Sequence, residues 1–213
     1  MVQSFNEETL QLEGDPVRLG AQVRRGTGVP GFSVSANGRL VFLRPNGEPQ
    51  LTWLDRSGRP VGTVGDPGLS GNLDLSPDGQ QVAVTGLSPR PGGGVQSAIW
   101  LVDVASGRAT RLTDDPAADP AWSPDGKYMV FNSDRLGRNS LFTRASDGSG
   151  VEVPLVKSET DNFTVASWSR ANVMFFNVYN DRNASDLWTL SMSGDRTPKV
   201  FMNSKHSEFN GTF

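Results

Sequence analysis

The acidic stretch Asp114-Asp115-Pro116-Ala117-Ala118-Asp119, followed by Asp125, could offer hard oxygen ligands to a cation such as calcium. Its spacing departs from an EF-hand loop, in which alternate ligands are followed by a glycine and a distant glutamate. Aspartates also cap turns by accepting nearby backbone N–H bonds, so the stretch reads first as a connecting loop and only second as a weak cation site. Two Asp-Arg pairs, Asp134-Arg135 and Asp181-Arg182, could line a ligand-binding face. Their recurrence at equivalent loop positions argues instead for a structural loop bond, since a specific site seldom recurs from one repeat to the next. His206 is the single histidine, so a Ser-His-Asp triad could use no other; without a Gly-x-Ser-x-Gly elbow it reads as a solvent-exposed residue. Gly92-Gly93-Gly94 lacks the Lys-Ser/Thr of a P-loop and reads as a flexible hairpin loop. His-Arg-Asp and Asp-Phe-Gly, the marks of a kinase catalytic core, are missing, and there is no cysteine. No residue is therefore assigned a catalytic, cofactor-binding or metal-binding role.

Composition narrows the elements that position these residues. Glycine (24) and proline (14) together are 38 of 213 residues, well above average usage, while apolar content is ordinary. That combination suits many short strands joined by punctuated turns. The net charge of −3 is spread along the chain, with no basic stripe for nucleic acid and no basic amphipathic helix for a membrane surface. Met1 to Glu8 lacks the basic and apolar regions of a signal peptide, so an export signal or anchor is expected only outside this chain.

The organising feature is a repeat. Val34-Ser35-Ala36-Asn37-Gly38 returns as Leu75-Ser76-Pro77-Asp78-Gly79 and as Trp122-Ser123-Pro124-Asp125-Gly126. A worn copy, Trp168-Ser169-Arg170-Ala171-Asn172, has lost one turn residue. The serines recur at about 45 residues, the period of a propeller blade. A second mark follows each copy in the same order: Trp53 to Gly58, Trp100 to Gly107, Leu141 to Gly148 and Leu187 to Gly194. Each unit reads as four antiparallel strands, with the Asp-Gly or Asn-Gly step supplying the left-handed residue of a hairpin. In the third copy, Tyr128, Val130 and Asn132 are expected to point away from the side of Met129 and Phe131. Trp53, Trp100, Trp122, Trp168 and Trp188 sit at repeat positions and read as packing between blades. Asn162-Phe163-Thr164, Asn183-Ala184-Ser185 and Asn210-Gly211-Thr212 match glycosylation sequons, which by themselves carry little meaning.

These marks resemble the WD40-like repeats of TolB-type β-propellers, whose blades carry a Trp-Ser-Pro-Asp-Gly turn after the innermost strand. Trp122 to Gly126 matches in full, Leu75 to Gly79 lacks only the Trp, and Leu112-Thr113 fits the Leu-Thr step before the next blade. More narrowly, Phe32 to Gly65 is similar to the propeller found C-terminal to bacterial, notably acidobacterial, serine/threonine kinase domains. The expected fold is all-β, an incomplete TolB-like ring in one domain over 1–213. Its blades are expected at 31–67, 68–117, 118–160 and 161–205, with a partial blade over 1–30 and the start of a further one at 206–213.

The resemblance implies a non-catalytic binding or sensing module that meets a protein partner or another ligand through its loops. It further implies a kinase tether or a TolB-like role in the parent protein, and a periplasmic or extracytoplasmic location. No cofactor, nucleic-acid contact or membrane contact is expected. The alternative is a propeller gating an α/β-hydrolase of the prolyl oligopeptidase type.

Overall fold

A chain that turns at a left-handed residue and then alternates apolar side chains is suited to an antiparallel meander, and that is what each repeat forms. The computed structural model describes residues 2–6, 11–17, 32–34, 40–43, 49–55, 57–66, 68–69, 71–179, 185–204 and 206–208. A hairpin pairs β1 (Val2–Asn6) with β2 (Gln11–Val17). Four antiparallel sheets of four strands follow, each in simple sequence order. Blade 1 is β3 (Phe32–Val34), β4 (Leu40–Leu43), β5 (Leu51–Leu54) and β6 (Pro60–Val64). Blade 2 is β7 (Leu73–Leu75), β8 (Gln81–Pro89), β9 (Val95–Asp103) and β10 (Ala109–Arg111). Blade 3 is β11 (Ala118–Trp122), β12 (Tyr128–Ser133), β13 (Ser140–Ala145) and β14 (Val153–Val156). Blade 4 is β15 (Asn162–Trp168), β16 (Val173–Tyr179), β17 (Ser185–Ser191) and β18 (Pro198–Met202). No helix occurs among the described residues.

The first strand of each blade packs against the first strand of the next: β3 on β7, β7 on β11, β11 on β15. These four are the inner strands of an open propeller, and the apolar core lies between blades rather than within them. Val41 and Leu51 of blade 1 meet Val82, Val84 and Val102 of blade 2. Ala83 and Ile99 of blade 2 meet Met129, Phe131 and Phe142 of blade 3. Val130 and Leu141 of blade 3 meet Met174, Phe176 and Leu190 of blade 4. The Phe131 and Phe142 rings stack at 6.2 Å, and Phe163 meets Phe176 edge-on at 5.8 Å.

This packing corrects one expectation in part: Val130 does point away from Met129 and Phe131, but not to solvent. Val130 and Asn132 are buried just as Met129 and Phe131 are, because blade 4 covers one face of β12 and blade 2 covers the other. A sheet covered on both faces loses the apolar-polar alternation of a half-solvated strand. A second correction concerns the aromatic positions. Val41 opposes Trp53, but its counterpart Ala83 opposes Leu101, and Trp100 opposes Val84. The inner hairpins close at Val34–Leu40 and Leu75–Val82, so Trp53 is one step out of register with Trp100. One step reverses the face. The two tryptophans therefore reach the same blade 1–blade 2 cluster from opposite sides.

Turn chemistry sets the hairpins. Gly79 and Gly126 have φ of 71° and 72°, and Asn172 takes the same place in blade 4 at 61°. Asparagine tolerates this region better than most residues. Substituting Phe176, fully buried between blades 3 and 4, by alanine is expected to cost about 3–5 kcal/mol of stability. Asn172→Gly keeps the left-handed turn but loses the bond from Trp168 Nε1 and the bond to Ser193 Oγ, and is expected to cost less, about 1–2 kcal/mol. Urea unfolding followed by tryptophan fluorescence checks both.

Candidate functional site

In blades 2 and 3 the turn after the inner strand is built by one serine and one aspartate. Ser76 Oγ donates to Asp78 Oδ1 at 2.6 Å and accepts from the backbone N–H groups of Gln80 and Gln81. Ser123 repeats this with Asp125 at 2.6 Å and accepts from the Tyr128 N–H. These bonds to the ionised form hold the Asp78 and Asp125 carboxyls below the ordinary aspartate range. The next turn outward does likewise: Asp147 accepts from the Ser149 N–H and is also held low. Asp55 in blade 1 is held at about 2, first by the Ser57 hydroxyl and then by the Arg59 backbone N–H. Each of these groups supports its turn above about pH 4 and loses that contribution as pH falls through its lowered pKa.

Three of these carboxylates converge. Asp78, Asp125 and Asp147 line an open cleft of about 300 Å³ between blades 2 and 3, with Pro77, Trp122 and Ser146 among its walls. Ser146 ties the outer turn to the inner one, donating from Oγ to the Gly126 carbonyl at 2.6 Å and from N–H to the Lys127 carbonyl at 3.0 Å. The cleft is thus held by side-chain hydrogen bonds, ionised at neutral pH, and lined in part by the largely buried Trp122. It can receive a cationic group joined to an apolar stem.

The inner strands carry a polar network with the opposite electrostatics. Asp74 on β7 accepts from Ser33 Oγ of blade 1 at 2.8 Å and from the Trp122 N–H of blade 3 at 2.8 Å. Trp122 Nε1 also donates to the Asp74 carbonyl at 3.2 Å. Part of Asp74 stays accessible, but its carboxyl is wedged between three inner strands, and burial pushes it up to about 6. Asp119, with φ of 55°, is also pushed up by burial. Asn72 donates to its Oδ1, and Asn132, with its amide nitrogen turned inward, donates to its Oδ2 at 2.7 Å. Thr85 Oγ1 accepts the Asp119 N–H at 3.1 Å.

These placements separate the acidic stretch singled out in the sequence. Asp114 and Asp115 lie exposed in the blade 2–blade 3 connection, Asp119 turns into the inner network, and Asp125 stands beyond the other end of β11. Among the described residues no three carboxylate or histidine side chains gather as metal donors. Arg135 does not bond its neighbour Asp134. Its guanidinium lies 4.4 Å from the Phe142 ring centroid and pairs with Glu152 and, at 3.1 Å, with Asp115. Glu152 also pairs with Arg144, which donates to the Leu112 carbonyl of blade 2 at 2.6 Å. Arg135, without Asp134, is therefore part of a largely shielded staple that ties blade 3 to the blade 2 side. Asp181-Arg182 lies outside the described residues, as do the sequon residues Asn183, Ala184 and 210–212.

His206 is exposed, and Gly92, Gly93 and Gly94 all take positive φ in the β8–β9 hairpin. Asn162 lies within β15 with its Oδ1 accepting the Asn139 N–H at 3.0 Å, so that sequon is locked into a strand. Asp74, Asn72, Asn132 and Glu152 are the residues that sequence reasoning missed. An ionisable or amide residue inside an apolar strand, as in Leu73-Asp74-Leu75, was the available signal.

Four-stranded antiparallel sheets packed face to face along their inner strands make this a β-propeller, with its polar surface concentrated at the strand ends. The chain belongs to the TolB beta propeller domain family, which matches residues 32–208. An uncharacterized protein of Agrobacterium fabrum is 33% identical over 102 residues, 47% of this chain and 33% of that protein. The Tol-Pal system protein TolB of Wolinella succinogenes is 29% identical over 115 residues, 53% of this chain and 25% of that protein. The crystal structure of TolB from Acinetobacter baumannii superposes with a TM-score of 0.67 at 17% identity, covering 84% of this chain and 44% of that one. That likeness speaks for the fold alone. The aligned region spans a third or less of the length of these two curated relatives.

Removing Glu152 takes away the carboxylate shared by two largely shielded guanidinium groups, leaving Arg135 with the exposed Asp115 and Arg144 with carbonyl acceptors alone. Glu152→Ala is expected to lose about 3 kcal/mol, whereas Asp115→Ala, at the exposed end of the staple, changes stability by less than about 1 kcal/mol. Chemical denaturation of the two variants side by side checks the contrast.

Proposed function

We propose that this propeller is a non-catalytic interaction module that captures a protein partner through the turns at the ends of its blades. The observation that carries the reading is the cleft between blades 2 and 3. It is open to solvent, held in shape by Ser76, Ser123 and Ser146, and lined by three ionised carboxylates beside Trp122. Such a surface favours a partner that presents lysine or arginine, with attraction that weakens as salt rises. Function on a propeller sits in these end loops, whereas the strands supply the rigid frame.

Within that reading, the parent protein is a sensor of the bacterial serine/threonine kinase type or a TolB-like protein, and the module works on the extracytoplasmic side. Membership of the TolB propeller family supports the second more directly than the first. The tie to a kinase rests on the texture of Phe32 to Gly65, and a His-Arg-Asp loop elsewhere in the parent polypeptide is what would establish it. No feature of the cleft favours the hydrolase-gating alternative.

A photo-crosslinking residue at Gln80, exposed beside the cleft, tests the proposal in cells producing the full-length parent protein. The expected result is one discrete protein adduct that fades with added salt and with Asp147→Asn. A probe at exposed Val61 on β6 is expected to give none. No adduct at Gln80, or the same adduct from both positions, would remove the cleft from the binding surface.

A further inference from the structure

We propose that Asp74 is a proton-operated clasp that holds blades 1, 2 and 3 together more tightly when its carboxyl is protonated than when it is ionised. The geometry points to this because one side chain bonds three successive inner strands at once. Ser33 Oγ reaches it from β3, the Trp122 N–H reaches it from β11, and Ser33 Oγ also accepts the Leu75 N–H at 3.1 Å from its own strand. Among the described residues no cation pairs with it. Among the described residues, β3, β4, β7, β8 and β11 carry no lysine, arginine or histidine, and Asp119 is their only other titratable group. Asp119 is occupied by Asn72 and Asn132.

An ionised carboxylate in this position keeps two hydrogen bonds but has no opposite charge among the described residues to offset its desolvation. Protonation keeps both contacts, each weaker without the charge, and relief of desolvation outweighs that loss. The Trp122 N–H continues to donate to one oxygen, while the new O–H donates to Ser33 Oγ, which can still accept from Leu75. The hydroxyl hydrogen of Ser33 simply turns away. The carboxyl titrates in the folded chain near 6, against 3.8 for an ordinary aspartate. Between those values the folded chain holds more protons than the unfolded one. Its stability therefore falls as pH rises through about 6, the reverse of the turn aspartates, which stay ionised throughout that window.

The clasp also bears on the cleft, since Trp122 is both a wall of the cleft and the residue Asp74 holds by two bonds. Mild acidification would fix that wall and neutral pH would loosen it. The device needs no partner to operate, so it can fail while the binding proposal survives, and the reverse.

The test is urea unfolding of the full chain between pH 5 and pH 8, with hydrogen exchange at the Trp122 amide. In the unsubstituted chain the folding equilibrium constant is expected to be about ten-fold larger at pH 5 than at pH 8 through this group. Trp122 exchange, corrected for its intrinsic pH dependence, should be slower at pH 5. Asp74→Asn, which can donate to Ser33 Oγ and accept from Trp122 as the protonated acid does, should remove that ten-fold change and match the acid form at both pH values. Asp119→Asn should keep it. If the Asp74→Asn chain shows the same pH dependence as the unsubstituted one, or the unsubstituted chain is less stable at pH 5, the clasp is overturned. Should the variant not fold, ¹³C NMR of the Asp74 carboxyl in the unsubstituted chain decides. A midpoint near 6 supports the clasp, and one at or below 4 overturns it.

Discussion

A single four-stranded blade has two apolar faces and no way to keep water from either. Everything else in this molecule follows from pressing such sheets against one another. Val41 and Leu51 have no core inside blade 1, and become buried only because Val82, Val84 and Val102 arrive from blade 2. The same relation recurs between blades 2 and 3 and between blades 3 and 4. Stability in such an array is a property of interfaces, so each blade depends on its neighbours. It also explains why Asn132 and Asn177, on equivalent second strands, are buried despite their amides. Both faces of those strands are covered, and the amides must find partners inside.

The aspartates fall into two populations that share a side chain and differ in surroundings. At the turns, Asp55, Asp78, Asp103 and Asp125 accept serine hydroxyl bonds in open solvent, where charge is cheaply hydrated and the bonds favour ionisation. On the inner strands, Asp74 and Asp119 accept comparable bonds but have lost most of their water. Desolvation outweighs hydrogen bonding there, and the direction of the shift reverses. The turn population keeps a fixed negative surface at the blade ends. The inner population couples the blades to one another and to the proton.

The ionised cleft and the inner network share Trp122. Trp122 helps to line the cleft, its Nε1 reaches the Asp74 carbonyl, and its backbone N–H reaches the Asp74 carboxyl. A surface site built this way inherits the rigidity of the interface beneath it. Pre-organisation of that kind lowers the ordering cost of binding without adding any contact. The buried Arg135–Glu152–Arg144 staple secures the same blade pair on the side of the third strand.

Local sequence was enough to establish the propeller itself. Repeated Ser-Pro-Asp-Gly turns and left-handed glycines specify hairpins within a few residues, where backbone sterics decide the outcome before any long-range contact forms. The worn turn at Ser169 to Asn172 was legible for the same reason. Facing and partnership were not. Trp53 and Trp100 occupy similar places in their sequence signatures but differ by one step of strand register, and register is set by pairing across the sheet. Asp134-Arg135 suggested a local loop bond, and Arg135 does donate from Nε to Ser133 Oγ at 2.9 Å, but its guanidinium also reaches Glu152, 17 residues away, beside the Phe142 ring. Asp114 to Asp125 read as one acidic cluster, and β11 carried its members apart. The partners of Asp74 lie 41 and 48 residues away on neighbouring blades. Desolvation and charge pairing depend on which surfaces meet in three dimensions, so only the tertiary structure could decide which aspartates remain ordinary and which do not.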